Sequence, residues 1–207
     1  AGAHKVVAGW EVSRARFNFA RNDYAGSATI GVNEPSLGYW PNTSPMLPSY
    51  RTQATTHDFY AEDAWSLSDK WLLLAGIRRA LTDFERNDLV GSGSFDKRLN
   101  GTAWRLGLTH KLSAQTSLYG QLSQGHDPVT NVLTLNLGNS PFKLTTARQI
   151  ELGLKQQFAQ GQGEWTAAAY RIEKKDIITR DPNNALLSVQ GGKQSSQGLE
   201  LSAVMRL

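Results

Sequence analysis

The feature that most constrains the fold is an alternation of apolar and polar residues on both sides of a short polar connection. Residues 58–65 (DFYAEDAW) and 71–78 (WLLLAGIR) flank the connection Leu67–Lys70. Alternation with a period of two across a short turn predicts a β-hairpin. Trp65 and Trp71 stand on either side of the turn, and amphipathic rings of this kind favour the border between a membrane and water. We therefore interpret this hairpin as the repeating unit of the chain.

The composition and the lengths of the apolar runs distinguish membrane-spanning helices from membrane-spanning strands. Of the 207 residues, 40% are hydrophobic. The longest apolar run, residues 71–77, is far shorter than the roughly 18 to 20 residues that a membrane-spanning helix requires. Helical spans are therefore excluded, whereas a transmembrane β-strand needs an apolar side chain only at alternate positions.

Several kinds of site are excluded by residue counts and spacing. The chain has no cysteine, which excludes disulfides, thiolate metal sites and cysteine nucleophiles. Its 22 basic and 18 acidic residues are interspersed, so the net charge of +4 does not indicate a nucleic-acid partner. The four histidines are scattered without metal-binding spacing: His4, His57, His110 and His126. We predict no metal site and no cofactor.

The rest of the chain repeats the hairpin. Strands are predicted over residues 4–12, 57–66, 71–84, 102–111, 116–125, 149–158, 165–178 and 198–207. Long loops are predicted over 21–51 and 126–146, polar loops around 91–94 and 181–184, and short turns at 67–70, 112–115 and 159–163. All the short connections lie at one end of the predicted sheet, as they do in outer-membrane barrels. Soluble barrels, in contrast, place the apolar face inside and seldom carry such long loops at one end. The prediction is an all-β, antiparallel transmembrane barrel.

The clearest alternation also predicts which side chains face water. In residues 102–111, Trp104 and Leu106 alternate with Arg105. An arginine facing lipid at the bilayer midplane would cost roughly 2 to 4 kcal/mol, so Arg105 is predicted to point into a lumen. The predicted lumen-facing residues are Arg78, Arg105, Glu151, Lys155 and Glu200. The facing of the strands at 57–66 and 165–178 stays open.

Several segments, in this order and spacing, are similar to parts of one family. They are residues 60–65 (YAEDAW), 74–78 (LAGIR), 151–155 (ELGLK), 169–177 (AYRIEKKDI) and 196–201 (SQGLEL). Together they resemble the barrel of the TonB-dependent outer-membrane receptors of Gram-negative bacteria. Arg79 and Thr145–Thr146 depart from the family pattern, which bears on the subfamily. The resemblance implies active import of a ferric siderophore or a similar small ligand.

The resemblance also implies that residues 1–207 are a central part of a larger barrel. The family barrel has about 22 strands, and this chain accounts for about eight of them. We expect the plug domain, the segment that contacts TonB and the C-terminal strands to lie outside this chain. No signal peptide precedes the first strand, and the last strand is still alternating at Leu207, which both fit this expectation. The expected partners are the ligand, the lipid bilayer, and the TonB complex acting through the plug.

In the family, aromatic residues of the outer loops help to bind the ligand. The resemblance therefore makes the loop aromatics candidates for ligand contact: Tyr24, Tyr39, Trp40 and Tyr50 in the first long loop, and Phe142 in the second. The alternative is that these rings pack the loops together or lie in the interfacial belt.

The predicted function is transport, not catalysis, and two alternatives stay open. One is a small passive outer-membrane barrel, porin-like or adhesive. The other is an outer-membrane hydrolase or acyltransferase, for which Ser123, His126 and Asp127 are the candidate residues.

Overall fold

The chain forms one antiparallel sheet of eight strands in which every strand pairs with the next one along the chain. The structure, a computed structural model, describes residues 2–22, 33, 44–184 and 187–206. The strands are β1 (His4–Asn22), β2 (Met46–Ser66), β3 (Trp71–Asp88), β4 (Phe95–Lys111), β5 (Thr116–His126), β6 (Thr146–Phe158), β7 (Gly163–Arg180) and β8 (Ser188–Met205). The all-β prediction is confirmed, and so is the number of strands. No helix within the described ranges is long and apolar enough to cross a membrane.

The sheet is open rather than closed. In the described part of the chain, β1 pairs only with β2 and β8 pairs only with β7. Both outer strands therefore present an edge of backbone N–H and C=O groups to which a further strand can bind.

Several strands are longer than the alternation predicted. β1 continues to Asn22, β2 begins at Met46, β3 continues to Asp88 and β8 begins at Ser188. The predicted loop over residues 21–51 was therefore wrong at both ends, and the connection between β3 and β4 shortens to residues 89–94. The added residues of β2 adjoin a segment rich in glycine and proline, and those of β3 and β8 are mostly polar, so the sequence marks neither stretch as strand.

Two of the three short turns use the same device. Ser68 Oγ accepts hydrogen bonds from the backbone N–H of Lys70 (3.3 Å) and of Trp71 (3.2 Å). Ser113 Oγ accepts the equivalent pair from the N–H groups two and three residues further along, at 3.1 and 3.0 Å. A serine that binds the backbone in this way fixes a tight turn, and hence the register of the hairpin.

The register divides the sheet into two faces. The apolar face carries Val6, Ala8, Trp10, Phe59, Ala61, Leu73, Ile77, Trp104, Leu106, Leu108, Leu122, Ile150, Leu152, Ala167, Ala169, Leu199 and Leu201. The polar face carries Glu11, Asp58, Tyr60, Glu62, Arg78, Arg105, Tyr119, Gln121, Ser123, Gln149, Glu151, Lys155, Tyr170 and Glu200. The pairing settles the strands whose facing was open: Phe59 and Ala169 lie on the apolar face, and Tyr60 and Tyr170 on the polar face.

Tyrosine rings lie over glycines of the neighbouring strand at three places on the polar face: Tyr60 over Gly9, Tyr119 over Gly153 and Tyr170 over Gly198. A Cβ atom added at Gly153 would lie 2.4 Å from Tyr119 Cζ. Only glycine therefore leaves room for the ring at this position.

The buried core lies at the loop end of the polar face, where the connection 127–145 folds back onto the sheet. Its buried members are Ala54, Phe84, Leu99, Val132, Leu133, Leu135 and Leu144. Phe84 is 1% exposed. Four of these residues come from the connection itself, so the connection completes a core that the strands alone would leave uncovered.

Candidate functional site on the polar face

A charged network crosses the first three strands of the polar face. Arg78 Nε donates to Asp58 Oδ1 at 2.9 Å, and Arg78 Nη2 lies 2.8 Å from Asp58 Oδ2. The second contact of Nη2 is Glu11 Oε2, at 3.4 Å. Asp58 is only 5% exposed, and a bidentate guanidinium satisfies both of its carboxylate oxygens.

A second ion pair reaches across β3 where that strand carries a glycine. Arg105 of β4 donates to the carboxylate of Glu62 on β2. Gly76 lies between the two residues, because it is the cross-strand partner of both. A Cβ atom at Gly76 would lie 3.0 Å from Glu62 Oε2, so the glycine opens the space in which the pair meets.

The remaining residues predicted to face a lumen also lie on the polar face. Glu151 accepts hydrogen bonds from Tyr119 Oη and Gln149 Nε2, both at 2.7 Å. Lys155 Nζ forms an ion pair of 2.8 Å with Glu164. Glu200 lies opposite Ala168 on the same face. All five predicted residues thus share one face of the sheet.

This face is concave. A hollow of about 780 Å³ is bounded by the ion-paired residues Glu62, Arg78 and Arg105 on one side and by Gln121 and Gln149 on the other. Its lining contains two kinds of group: charged side chains that form ion pairs with one another, and neutral glutamine amides. Such a surface can remain hydrated without a strong net attraction for either sign of charge.

The aromatic candidates of the first long loop have different outcomes. Tyr24, Tyr39 and Trp40 lie outside the described residues. Tyr50 belongs to β2 and not to a loop, because the strand begins at Met46. Its ring stacks on Phe19 with the centroids 5.1 Å apart, and the guanidinium carbon of Arg86 lies 3.4 Å from its centroid.

Phe142 lies in the connection 127–145, as predicted, and packs against the buried core. The backbone carbonyls of Ser140 and Phe142 accept hydrogen bonds from Lys97 Nζ. Burial, with a smaller contribution from the nearby charge of Lys143, lowers the pKa of Lys97. Lys97 therefore attaches the connection to β4.

Arg86 and Asp58 are site residues that the sequence analysis missed. Arg86 is 8% exposed, donates from Nη1 to the carbonyl of Leu135 at 3.0 Å, and leaves its Nε without a partner among the described groups. Nothing local in the sequence distinguishes it from a solvated arginine. Asp58, in contrast, could have been placed diagonally from Arg78 on the same face by counting outward from the turn at residues 67–70.

The three residues of the hydrolase alternative are not joined as a catalytic chain. The Asp127 carboxylate binds Lys174 Nζ at 3.0 Å. His126 Nδ1 lies 3.2 Å from the backbone carbonyl of Asp127, not from its carboxylate. Ser123 lines the hollow described above. Within the described ranges, no group of three or more His, Cys, Asp or Glu side chains could hold a metal ion.

Comparison with known proteins identifies what this sheet is similar to. A family model described as TonB dependent receptor-like, beta-barrel, matches residues 4–207. The metal-pseudopaline receptor CntO of Pseudomonas aeruginosa is 25% identical over 196 residues, which are 88% of this chain and 26% of that protein. The ferrioxamine B receptor of Salmonella typhimurium is 24% identical, over 99% of this chain and 28% of its own length. The chain thus spans about a quarter of the length of these relatives.

Solved structures show the same fold. The ferric-catecholate import receptor Fiu of Escherichia coli, in its closed form, superimposes with a TM-score of 0.78 at 20% identity, covering 99% of this chain and 33% of that one. The siderophore receptor PiuA of Acinetobacter baumannii gives a TM-score of 0.76 at 21% identity, covering 97% of this chain and 32% of that one. The eight strands therefore correspond to a section of a larger barrel in both structures.

Proposed function

The chain belongs to the TonB-dependent receptors, within their β-barrel, and on that premise we propose that it forms part of the wall of a receptor that imports a metal–siderophore complex. Receptors of this family are outer-membrane β-barrel proteins of Gram-negative bacteria, and they are transport receptors rather than enzymes. The protein is accordingly located in the outer membrane.

The observation that carries the proposal is the difference between the two faces. The apolar face exposes leucines, isoleucines and tryptophans, with Leu199 at 86% and Leu152 at 60% exposure. The polar face holds the paired charges, among them Arg78–Asp58 and Lys155–Glu164. A wall between lipid and a water-filled lumen needs this arrangement, because exposed apolar side chains are stable in lipid and charged ones in water. On this proposal Arg78, Arg105, Glu151, Lys155 and Glu200 face the lumen.

We further propose that the other strands of the barrel, and a plug, belong to the full-length gene product. In a bilayer, each unsatisfied backbone group at the free edges of β1 and β8 would cost several kcal/mol. Pairing these edges with further strands removes that cost. The energy for import would come from a TonB complex acting on the plug.

The experiment is a growth test under iron limitation. The gene is deleted in its host and restored on a plasmid, and iron is supplied as ferrioxamine B, as a ferric catecholate or as ferric citrate. We expect the deletion to abolish growth on at least one of these complexes, and a TonB deletion to abolish the same growth. Growth that depends on the gene but not on TonB would instead indicate a passive barrel. No effect of the deletion on uptake of any iron complex would contradict the proposal.

The five aromatic candidates, four from the connections and Tyr50 from β2, are proposed to contact the ligand. Tyr24, Tyr39, Trp40, Tyr50 and Phe142 are the residues concerned. Replacing Trp40 with alanine in the full-length gene product should weaken ligand binding, and unchanged affinity would remove Trp40 from the proposal. For Tyr50 the better variant is Tyr50→Phe, because it keeps the stacking on Phe19 and the contact with Arg86 and removes only the hydroxyl.

A further inference from the structure

The outer surface of the first four strands becomes charged where these strands continue beyond the apolar band. That band ends at Val12 in β1 and at Leu81 in β3. Four residues further along both strands, one row of the register places four polar residues side by side: Arg16, Gln53, Glu85 and Asp96. In outer-membrane barrels the short turns face the periplasm, so this row projects from the bilayer on the outer side of the membrane.

The charges on this surface are separated by sign. Arg16 of β1 is basic, Gln53 of β2 is neutral, and the residues that follow them in β3 and β4 are acidic. Arg51 lies two residues beyond Gln53 on the same face and is a diagonal neighbour of Arg16. The four charged side chains are exposed. We name Arg16, Arg51, Glu85 and Asp96 the bipolar patch, with a basic side on β1 and β2 and an acidic side on β3 and β4.

Like charges are neighbours in the bipolar patch, and the sheet does not compensate them. Glu85 and Asp96 lie directly opposite one another, an arrangement that destabilises two antiparallel strands. None of the ion pairs among the described residues involves the patch. The adjoining row is different, because Arg98 Nε lies 3.2 Å from Asp83 Oδ1. The sheet thus pairs its own charges one step away, but not in the patch.

A hollow of about 810 Å³ is lined by both sides of the bipolar patch. On its basic side, Arg16 Nε donates to Gln53 Oε1 at 3.3 Å, a contact that orients the guanidinium without neutralising its charge. On its acidic side the two carboxylates face the same space. The hollow can therefore receive cationic side chains of a partner beside its carboxylates while the partner presents carboxylates to the arginines.

We propose that the bipolar patch is the contact surface between two copies of the receptor in the outer membrane. Two copies in one membrane share its orientation, so the two-fold axis that relates them runs along the membrane normal. This rotation exchanges left and right between the facing surfaces and leaves the outward direction unchanged. The basic side of each copy therefore meets the acidic side of the other, and one contact compensates both sets of charges.

A second copy fits the charge distribution better than a simple ion does. Adjacent strands are about 4.8 Å apart, so the basic residue of β1 and the acidic residue of β3 in the same row are separated by about 10 Å. An anion bound at the arginines would leave the two carboxylates uncompensated, and a cation bound at the carboxylates would leave the arginines so. The partner has to carry both signs in reversed order, and the patch of a second copy does.

The test measures self-association of the full-length gene product in phosphatidylcholine vesicles. One batch of protein carries a donor dye and another carries an acceptor dye. Energy transfer between them is compared with the transfer that random placement gives at the same ratio of protein to lipid. We expect wild-type protein to exceed the random value. The excess should fall as the salt concentration rises, because exposed ion pairs are screened by salt.

Two charge-reversal variants separate the two sides of the patch. Arg16→Glu with Arg51→Glu makes the whole patch acidic, and Glu85→Lys with Asp96→Lys makes it basic. Each variant alone should lower the association constant about tenfold or more, because like charges then meet throughout the contact. A mixture of the two variants should regain at least the wild-type association, because each acidic patch then faces a basic one.

Controls separate this contact from net charge, folding and transport. Lys70→Glu with Lys111→Glu makes the same change in net charge as the arginine reversal, but at the turn end, and should leave association unchanged. The proposal rests on the receptor function proposed above, so growth on the iron complex is measured separately for every variant, as is heat-modifiable migration, which reports a folded barrel. If a double reversal does not fold, Arg16→Glu and Glu85→Lys carry the same mixing test, each with a loss of about threefold.

Three results would overturn the proposal. Wild-type energy transfer no greater than the random value would show that the patch is simply hydrated. An equal loss in the lysine variant would show that overall charge, and not this surface, governs association. A mixture of the two reversals that associates no better than either one alone would show that the two sides do not meet. Loss in each reversal with recovery in the mixture supports the proposal, and growth that is lost in all strains would count against the transport function instead.

Discussion

Replacing Gly153 with alanine is expected to destabilise the sheet at one definable contact. The new Cβ atom would lie 2.4 Å from Tyr119 Cζ and 2.5 Å from its Oη. Carbon atoms normally approach no closer than about 3.5 Å, so the ring has to move by about 1 Å. That movement separates Tyr119 Oη from Glu151, to which it now donates at 2.7 Å.

The magnitude follows from three contributions. Loss of a hydrogen bond to a charged group costs about 1.5–3 kcal/mol. Overpacking costs about 1–3 kcal/mol. This cost and the cost of the lost hydrogen bond are not fully additive, because the movement of the Tyr119 ring that breaks the hydrogen bond also relieves the overlap. Alanine is better than glycine in a strand by about 0.5–1 kcal/mol. The expected net loss of unfolding free energy is about 2 kcal/mol.

The assay is denaturant unfolding of the full-length gene product in lipid, followed by heat-modifiable migration and tryptophan fluorescence. Gly125→Ala is the matched control: Gly125 lies in the neighbouring strand on the same face, and a Cβ there meets nothing within 4 Å. It should leave the stability unchanged or raise it by up to about 1 kcal/mol, because alanine is better than glycine in a strand. In a Tyr119→Ala background, Gly153→Ala should lose its cost, because the ring that it displaces is gone.

Two results would refute this reasoning. If Gly125→Ala lowers the midpoint as much as Gly153→Ala, the cost belongs to glycine in a strand and not to the ring. If Gly153→Ala stays equally costly without the Tyr119 ring, the clash is not its cause.

The remaining predictions concern the connections. Hydrogen bonds from the N–H groups of Gly91 and Val90 lower the pKa of Asp88. The ionised Asp88 carboxylate therefore stabilises the 89–94 connection fully above its ordinary pKa of 3.8. This stabilisation is lost as the pH falls through the lowered pKa. Protection factors of these two amides should fall only in that acid range. Lys97→Met should increase hydrogen exchange in residues 140–143, because it removes both bonds to their carbonyls. Gln160→Gly should stabilise the turn by about 0.5–1 kcal/mol, because Gln160 has a φ of 56°.

Each of these predictions has a contrary result. Asp88→Ala should show the low protection at neutral pH, and a variant as protected as wild type would exclude the carboxylate as the cause. Lys143→Met is the control for Lys97→Met, because the nearby Lys143 charge lowers the pKa of Lys97, whereas the carbonyls of Ser140 and Phe142 are bound by Lys97. Equal hydrogen exchange in both variants would contradict an attachment through Lys97. Gln157→Gly, in the regular part of β6, should destabilise, and a gain there equal to that of Gln160→Gly would refute the conformational argument.

Contacts between the two strands of a hairpin can be predicted from the sequence, whereas contacts between segments that are distant in the sequence cannot. Once the turn at residues 67–70 is placed, the register puts Tyr60 opposite Arg78, and Asp58, two residues further along the same face, lies diagonally from Arg78. The contact of Lys97 with Phe142 joins residues that no turn relates. The position of Tyr50 in a strand does not follow from the sequence, because residues 21–51 are rich in glycine and proline, which indicate a loop.

The sequence by itself determined the eight strands and their antiparallel order, because alternation and turn chemistry are local and repeat with a period of two residues. It also determined which face is apolar in every strand except those at 57–66 and 165–178. Only the tertiary structure decided how far the strands extend, which way those two strands face, and that the connection 127–145 covers the loop end of the polar face. These features depend on the register across several strands and on polar contacts between residues distant in sequence. Neither leaves a periodic pattern in the chain.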